Sequence, residues 1–216
     1  MRGVFVTGTD TGVGKSVVAA ALCAARGEPV AALKPVLTGL DEAPGEWPHD
    51  HVLLADATGR RQTPDEVAPY RFGPAVSPHY AAELAGETIE PVRILDAAHA
   101  HDLLVCEGVG GLMVPITTGY LVRDLAVDLG LPVLIAARTG LGTINHTLLT
   151  LAAARAAGLM VAGVVMTPWP SDPEPIERSN RETIARLGGV AVHGLPPTSP
   201  GALAAAGACL PLHDWL

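Results

Sequence analysis

Three observations on this 216-residue sequence predict an α/β fold: a doubly wound, mostly parallel sheet flanked by helices. Short apolar runs recur between helical patterns. Several of these runs are apolar throughout, as strands buried on both faces are. The first run breaks into a glycine-rich loop that leads into a helix. Strands alternating with helices close into a parallel sheet through right-handed crossovers. The length suits a single domain, residues 1–216, with a substantial core.

The elements follow in order. "VFVTG" (Val4 to Gly8) is a strand, and a helix follows from about Gly14 to Arg26. "VAALKPV" (Val30 to Val36) is the second strand. Thr38 to Arg93 is irregular and rich in Pro and Gly, which reads as surface loops and short helices. It leaves the C-terminal end of the second strand, where open α/β sheets place their ligands. "DLLVCEG" (Asp102 to Gly108), "PVLIAAR" (Pro132 to Arg138), "LMVAGVVM" (Leu159 to Met166) and "VAVHGL" (Val190 to Leu195) are further strands. Helices fill "LVRDLAVDLG", "TINHTLLTLAAARAAG" and "PIERSNRETIARLG". The closing segment from Leu195 reads as loop, short helix and tail.

Composition removes several function classes. About half the residues are apolar and few are aromatic, so Ala, Val and Leu build the core. A formal net charge of −8 argues against a nucleic-acid footprint or a basic membrane-binding surface. No apolar run approaches the roughly 20 residues of a membrane helix. The chain enters a strand at once, with no signal-peptide core ahead of it, so a cytoplasmic location is expected. Cys23, Cys106 and Cys209 lie far apart without CxxC spacing, so neither a disulfide framework nor a zinc site is indicated. They read as packing or surface thiols of a reducing compartment.

The stretch "VFVTGTDTGVGKSVVAAAL" carries the chemistry. Five residues separate Gly8 from the Gly14-Lys15-Ser16 triplet, one more than the plain phosphate-binding loop. The strand before it and the helix after it still fit such a loop. Free N–H groups and the positive dipole end at the helix start can cradle phosphate oxygens, so Gly12, Val13, Gly14, Lys15, Ser16 and Val17 are the expected nucleotide contacts. Lys15 would reach the terminal phosphates, and the Ser16 hydroxyl would coordinate Mg²⁺. The bland alternative is an ordinary strand-to-helix turn. The chain has twelve arginines and only two lysines, Lys15 and Lys34. Lys34, in "ALKPVLTG", is costly to bury near a strand end unless it meets an anion, although a lysine can also snorkel there.

"FVTGTDTGVGKSVVAAAL", "ALKPVLTG", "SPHYAAELAG", "VCEGVGGLMVPI" and "GLGTINHTLLT" together resemble the dethiobiotin synthetase family, in order and over nearly the whole chain. The longer loop spacing is also that family's form. The resemblance implies a phosphate-loop NTPase fold and ATP-dependent carboxylation and ring closure of 7,8-diaminononanoate. The second substrate is CO₂, and the products are dethiobiotin, ADP and phosphate. It makes Ser16, Asp50 and Glu107 the Mg²⁺ ligands, with helix N-capping the plainer reading for Asp50. It makes "GVGGLMVPI", with Gly108, Val109, Gly110 and Gly111, a glycine-rich turn lining the diamine site; a tight strand connection is the alternative.

Leu141, Gly142, Thr143 and Asn145, at the start of "GLGTINHTLLT", would hold the substrate carboxylate of the neighbouring subunit, which implies a homodimer; simple helix capping is the alternative. Lys15 and Lys34 would neutralise two anionic reactants. Thr11 and Thr38 could hydrogen-bond the carbamate or phosphate, or only steady their loops. Thr167 stands where the family often has Asn, so nucleotides other than ATP enter the range of candidates. Pro196 and Pro197 would border the base. Gly12 replaces a charged residue of some relatives, which leaves that contact undetermined.

Two other readings share the fold. A partition- or nitrogenase-type dimeric ATPase switch typically carries an additional lysine early in the loop, where this chain has Thr9, Asp10, Thr11 and Gly12. An amidotransferase-like synthetase of cobalamin synthesis would need a glutaminase domain for which there is no room.

Overall fold

A computed structural model describes residues 1–216. Six strands form the central sheet: β1 (Arg2–Gly8), β2 (Ala31–Leu33), β5 (Leu103–Gly111), β8 (Val133–Ala137), β9 (Val161–Met166) and β10 (Val192–Gly194). Their spatial order is β10-β9-β8-β1-β5-β2, and every pair is parallel. Two small ladders stand apart from it. One joins β3 (Val36–Leu37) to β4 (Tyr70–Arg71), and the other joins β6 (Pro115–Thr117) to β7 (Tyr120–Leu121).

The period of two along each strand divides the core. Val4 and Val6 of β1 point to one face, with Val105, Leu134 and Val165. That face is covered by α1 (Lys15–Ala25), α2 (Asp50–Ala57), α3 (Pro64–Val67) and the C-terminal α9 (Leu203–Gly207) and α10 (Leu212–Trp215). Phe5, Leu104, Cys106, Ile135 and Val164 point the other way. They meet α4 (Pro78–Ala85), α5 (Pro91–His99), α6 (Val122–Leu129), α7 (Thr143–Ala156) and α8 (Pro175–Gly188). Strands covered on both faces explain why the sequence shows continuous apolar runs.

The topology positions the site. The chain leaves β1 toward β2 on one side of it, whereas the connection from β5 crosses to β8 on the other. The crevice beyond the carboxyl ends of such strands is where an open α/β sheet binds ligands.

Two expectations are corrected. The glycine run after Glu107 is not a turn: β5 continues to Gly111, and Gly111 pairs with Gly8 of β1 across a register shift. A Cβ at Gly108 would come within 3.1 Å of the Phe5 ring, and one at Gly111 within 3.3 Å of the Gly8 carbonyl, so glycine lets the two strands stay close. "VAALKPV" is also not one strand. Its ladder ends at Leu33, the Lys34 N–H donates to the Val67 carbonyl instead, and Pro35 has no N–H to offer.

Gly207 of α9 lies so close to α1 that a Cβ there would sit 2.2 Å from the Ala21 carbonyl oxygen. Gly207→Ala should force these helices apart and cost about 2 kcal/mol. Urea unfolding measures this loss, and wild-type stability in the variant would contradict the packing described.

Candidate functional site

The loop between β1 and α1 is shaped by glycine at two positions. Gly12 and Gly14 have φ of 69° and 87°, a region disfavoured for other residues. A Cβ at Gly14 would also approach the Thr167 methyl group to 2.5 Å. Gly14 is the N-cap of α1 and no side chain caps that helix, so the first N–H groups are free for an anion. The Lys15 ammonium donates to the carbonyl of Asp10, 2.8 Å away, and closes the loop on itself.

Three elements bring the charged groups together. Ser16 lies in the first turn of α1, Asp50 begins α2, and Glu107 lies on β5. Ser16 Oγ donates to Glu107 Oε1 at 2.8 Å. Lys34 Nζ, just past β2, lies 2.5 Å from Glu107 Oε1 and 2.8 Å from Asp50 Oδ2, with the Gly108 carbonyl at 3.5 Å. Glu107 is fully buried, and its Oε2 has no hydrogen-bond partner. Asp50 is not the cap of its helix: the N-cap is His49, and the carboxylate of Asp50 is turned to Lys34.

Burial alone would lower the Lys34 pKa, but the two carboxylates outweigh it and hold the ammonium above the usual lysine range. For Asp50, burial is likewise overcome, here by the charge of Lys34, and the carboxyl sits below its usual value. Burial raises Glu107. Lys15 lacks such a carboxylate pair at its head, so burial, with repulsion from Lys34, lowers it to about 8.

These groups line one cleft of about 900 Å³. Thr11, Gly12, Val13, Gly14, Lys15, Ser16 and Val17 line it together with Lys34, Thr38, Asp50 and Glu107. Val109 and Gly110 of β5 and Thr167, Pro196 and Pro197 line it as well. Gly108 and Gly111 do not line it; they serve strand packing. Leu141, Gly142, Thr143 and Asn145 also lie outside it. Gly142 is the N-cap of α7 with φ 90°, Leu141 is 95% exposed, and no side chain caps the helix. The Thr143 hydroxyl turns back to the Arg138 carbonyl at 2.7 Å.

Sequence reasoning missed Asp10 and Arg138, which pair at 3.3 Å beside the phosphate loop. Because β8 neighbours β1, the residue ending its apolar run falls beside the loop that ends β1, and no motif in the sequence marks that adjacency. Trp47 and Glu42, from the irregular segment, also line the cleft without any motif to announce them.

The Ser16 hydroxyl and the carboxylates of Asp50 and Glu107, the latter with one buried oxygen unpartnered, form a hard-oxygen set that fits a divalent cation such as Mg²⁺. The ammonium of Lys34 is paired directly with both carboxylates, and that of Lys15 acts on them from the phosphate loop.

The family profile described as AAA domain matches residues 2–201. The chain is 45% identical over 194 residues to the ATP-dependent dethiobiotin synthetase BioD of Anaeromyxobacter dehalogenans strain 2CP-1, covering 87% of this chain and 86% of that protein. It is 36% identical over 204 residues to the protein of the same name from Bacillus subtilis strain 168, covering 91% and 87%. Among solved structures, the Pyrococcus furiosus cell division ATPase MinD aligns with a TM-score of 0.57 at 17% identity, over 99% of this chain and 98% of that one. A ParA family ATPase from Chlorobium tepidum TLS aligns with a TM-score of 0.54 at 14% identity, over 97% and 92%. At such identities the likeness shows the fold alone.

Two outcomes are expected from the site's electrostatics. Nucleotide phosphates favour protonated Lys15, whose pKa in the free protein is about 8. Binding at higher pH must therefore take up a proton, and ADP affinity should fall by about eightfold between pH 7.5 and 9. Calorimetry checks this, and a flat profile would contradict it. Lys34→Ala leaves two carboxylates facing each other and should cost about 3 kcal/mol. Added Mg²⁺ should restore more of the melting temperature in the variant than it adds to the wild type. Equal shifts in the two proteins would contradict the assigned balance of charge.

Proposed function

The chain belongs to the AAA domain family and to the ATP-dependent dethiobiotin synthetases, and we propose that the cleft described above carries out that reaction. The activity is that of an ATP-dependent ligase of biotin synthesis. The observation that carries the residue assignment is the meeting of Lys15, Lys34, Ser16, Asp50 and Glu107 in one cleft.

In this reading one amine of 7,8-diaminononanoate, as the free base, adds to the carbon of CO₂, and its proton passes to solvent to leave a carbamate. A carbamate oxygen attacks the γ-phosphorus of ATP, the bond to the β-phosphate oxygen breaks, and ADP leaves. The second amine attacks the carbonyl carbon of the mixed anhydride. Phosphate departs, the amine proton passes to solvent, and the cyclic urea is closed. Two anions, carbamate and triphosphate, must approach in line, so the chain's task is positioning and charge neutralisation.

Lys15 neutralises the terminal phosphates. Lys34, turned from its carboxylates into the cleft on its four-carbon stem, would stand between carbamate and phosphate. A compact ammonium fits between two oxyanions where a broad guanidinium does not. Thr11 and Thr38 donate hydrogen bonds to these anions, and no general base is required. Ser16, Asp50 and Glu107 would hold Mg²⁺, which when bound neutralises charge on the phosphates. Val109 and Gly110 border the diamine.

The finer assignments belong to the same proposal. Residues 1–216 act as one synthetase domain. The uncapped start of α7 holds the diamine carboxylate of a neighbouring copy, which makes a homodimer. Thr167, Pro196 and Pro197 contact the base and admit nucleoside triphosphates besides ATP. The protein works in the cytoplasm; no helix is long and apolar enough to cross a membrane. The likeness to MinD and ParA proteins is one of fold, and this loop carries Thr9, Asp10, Thr11 and Gly12 ahead of Val13 and Gly14, with no lysine before Lys15.

Phosphate release from ATP should require both diamine and bicarbonate. Release at the same rate without the diamine would contradict a synthetase. Lys34→Arg should fold and yet lose about a hundredfold or more in kcat, the scale of a misplaced charge at a transition state. Normal turnover in that variant would remove Lys34 from its role.

A further inference from the structure

Asp10 is an awkward residue in a loop that receives phosphates. Its carboxylate and the neighbouring Thr11 carbonyl are both acceptors, and both repel an anionic ligand. The structure shows where they are directed. Asp10 Oδ1 accepts the Thr11 N–H at 2.7 Å. Asp10 Oδ2 and the Thr11 carbonyl both accept from Arg138 Nη2, at 3.3 and 3.1 Å. The Asp10 carbonyl receives the Lys15 ammonium at 2.8 Å. Asp10 is thus held on one side by Arg138 and on the other by Lys15.

Arg138 is placed by more than its own exposed guanidinium. It follows the last residue of β8, and the Thr9 N–H donates to the Ala136 carbonyl at 3.1 Å, which ties the phosphate loop to that strand. The buried Thr143 hydroxyl holds the Arg138 carbonyl at 2.7 Å. From α8, the buried Asn180 amide donates to the carbonyls of Thr139 and Gly140 at 2.8 and 3.2 Å. A buried amide spent on a surface loop fixes that loop's course.

We propose that Arg138 is a positioning residue for the phosphate loop: anchored by Thr143 and Asn180, it neutralises Asp10 and turns the Asp10–Thr11 acceptors away from the bound phosphates. The inference rests on nucleotide binding at this loop, as proposed above. It assigns Arg138 no contact with substrate.

The test is a double-mutant cycle in the full chain, read as ADP affinity by calorimetry and as KM for ATP against kcat. Arg138→Ala should raise both the ADP Kd and the KM about tenfold, with kcat changed less than about threefold, because the lost interaction organises binding. The melting temperature should stay within about 2 °C of the wild type, since both partners are half exposed. Arg138→Lys, which keeps the charge, should remain within about threefold of wild-type affinity. In an Asp10→Asn background the Arg138→Ala change should cost less than about threefold, because only the bond to the neutral Thr11 carbonyl is left. Wild-type affinity in Arg138→Ala would overturn the inference alone. So would an undiminished tenfold loss in the Asp10→Asn background, since Arg138 would then be acting on something other than Asp10. Failure of the wild-type chain to bind ADP would overturn both this inference and the function on which it rests.

Discussion

One buried ammonium between two carboxylates organises this structure. Lys34 reaches Glu107 at 2.5 Å and Asp50 at 2.8 Å at a point where Glu107 has no exposure to solvent. Charges taken out of water at such a place persist only when paired and hydrogen-bonded. The pairing joins three segments far apart in sequence: the end of β2, the start of α2 and the middle of β5. Ser16 adds a fourth, the first turn of α1, through its bond to the same Glu107 oxygen. The sheet order makes this possible, because β5 lies between β1 and β2 and presents Glu107 to both.

The same cluster accounts for the unequal use of basic residues. Twelve arginines serve elsewhere, while both lysines lie in the cleft. A guanidinium is planar and broad, and suits the exposed brace that Arg138 makes with Asp10. An ammonium is compact and swings on a flexible stem. The two lysines also differ from each other. Lys34 is held charged by its carboxylates, whereas Lys15, with a neutral carbonyl as its partner, lies near its titration point at about 8. One is a fixed positive charge, and the other is a charge that bound phosphate would hold against loss at alkaline pH.

Much of this was legible in the sequence because it is local. The Gly14-Lys15-Ser16 triplet between an apolar run and a helix predicts the phosphate loop, and the repeated apolar runs predict a parallel sheet. Lys34 could be singled out as a costly charge near a strand end, and Asp50 and Glu107 through the family resemblance, and the structure brings the three together. The misreadings came where pairing between distant segments decides the outcome. The glycines after Glu107 look like a turn, but alignment with Gly8 of β1 makes them strand. Asp50 looks like a cap, but Lys34 claims its carboxylate. Arg138 carries no sequence signal beyond ending a strand; only the adjacency of β8 to β1 places it at the phosphate loop.

The account stands on Lys34 exchanging its carboxylates for the reacting anions. The most direct measurement is a crystal structure of the protein with diamine carbamate, Mg²⁺ and a non-hydrolysable ATP analogue. The account predicts Lys34 Nζ within hydrogen-bond distance of both the carbamate and the terminal phosphate, with Asp50 and Glu107 turned to the cation. Lys34 still bound to Asp50 and Glu107, with the two anions brought together by other groups, would contradict it.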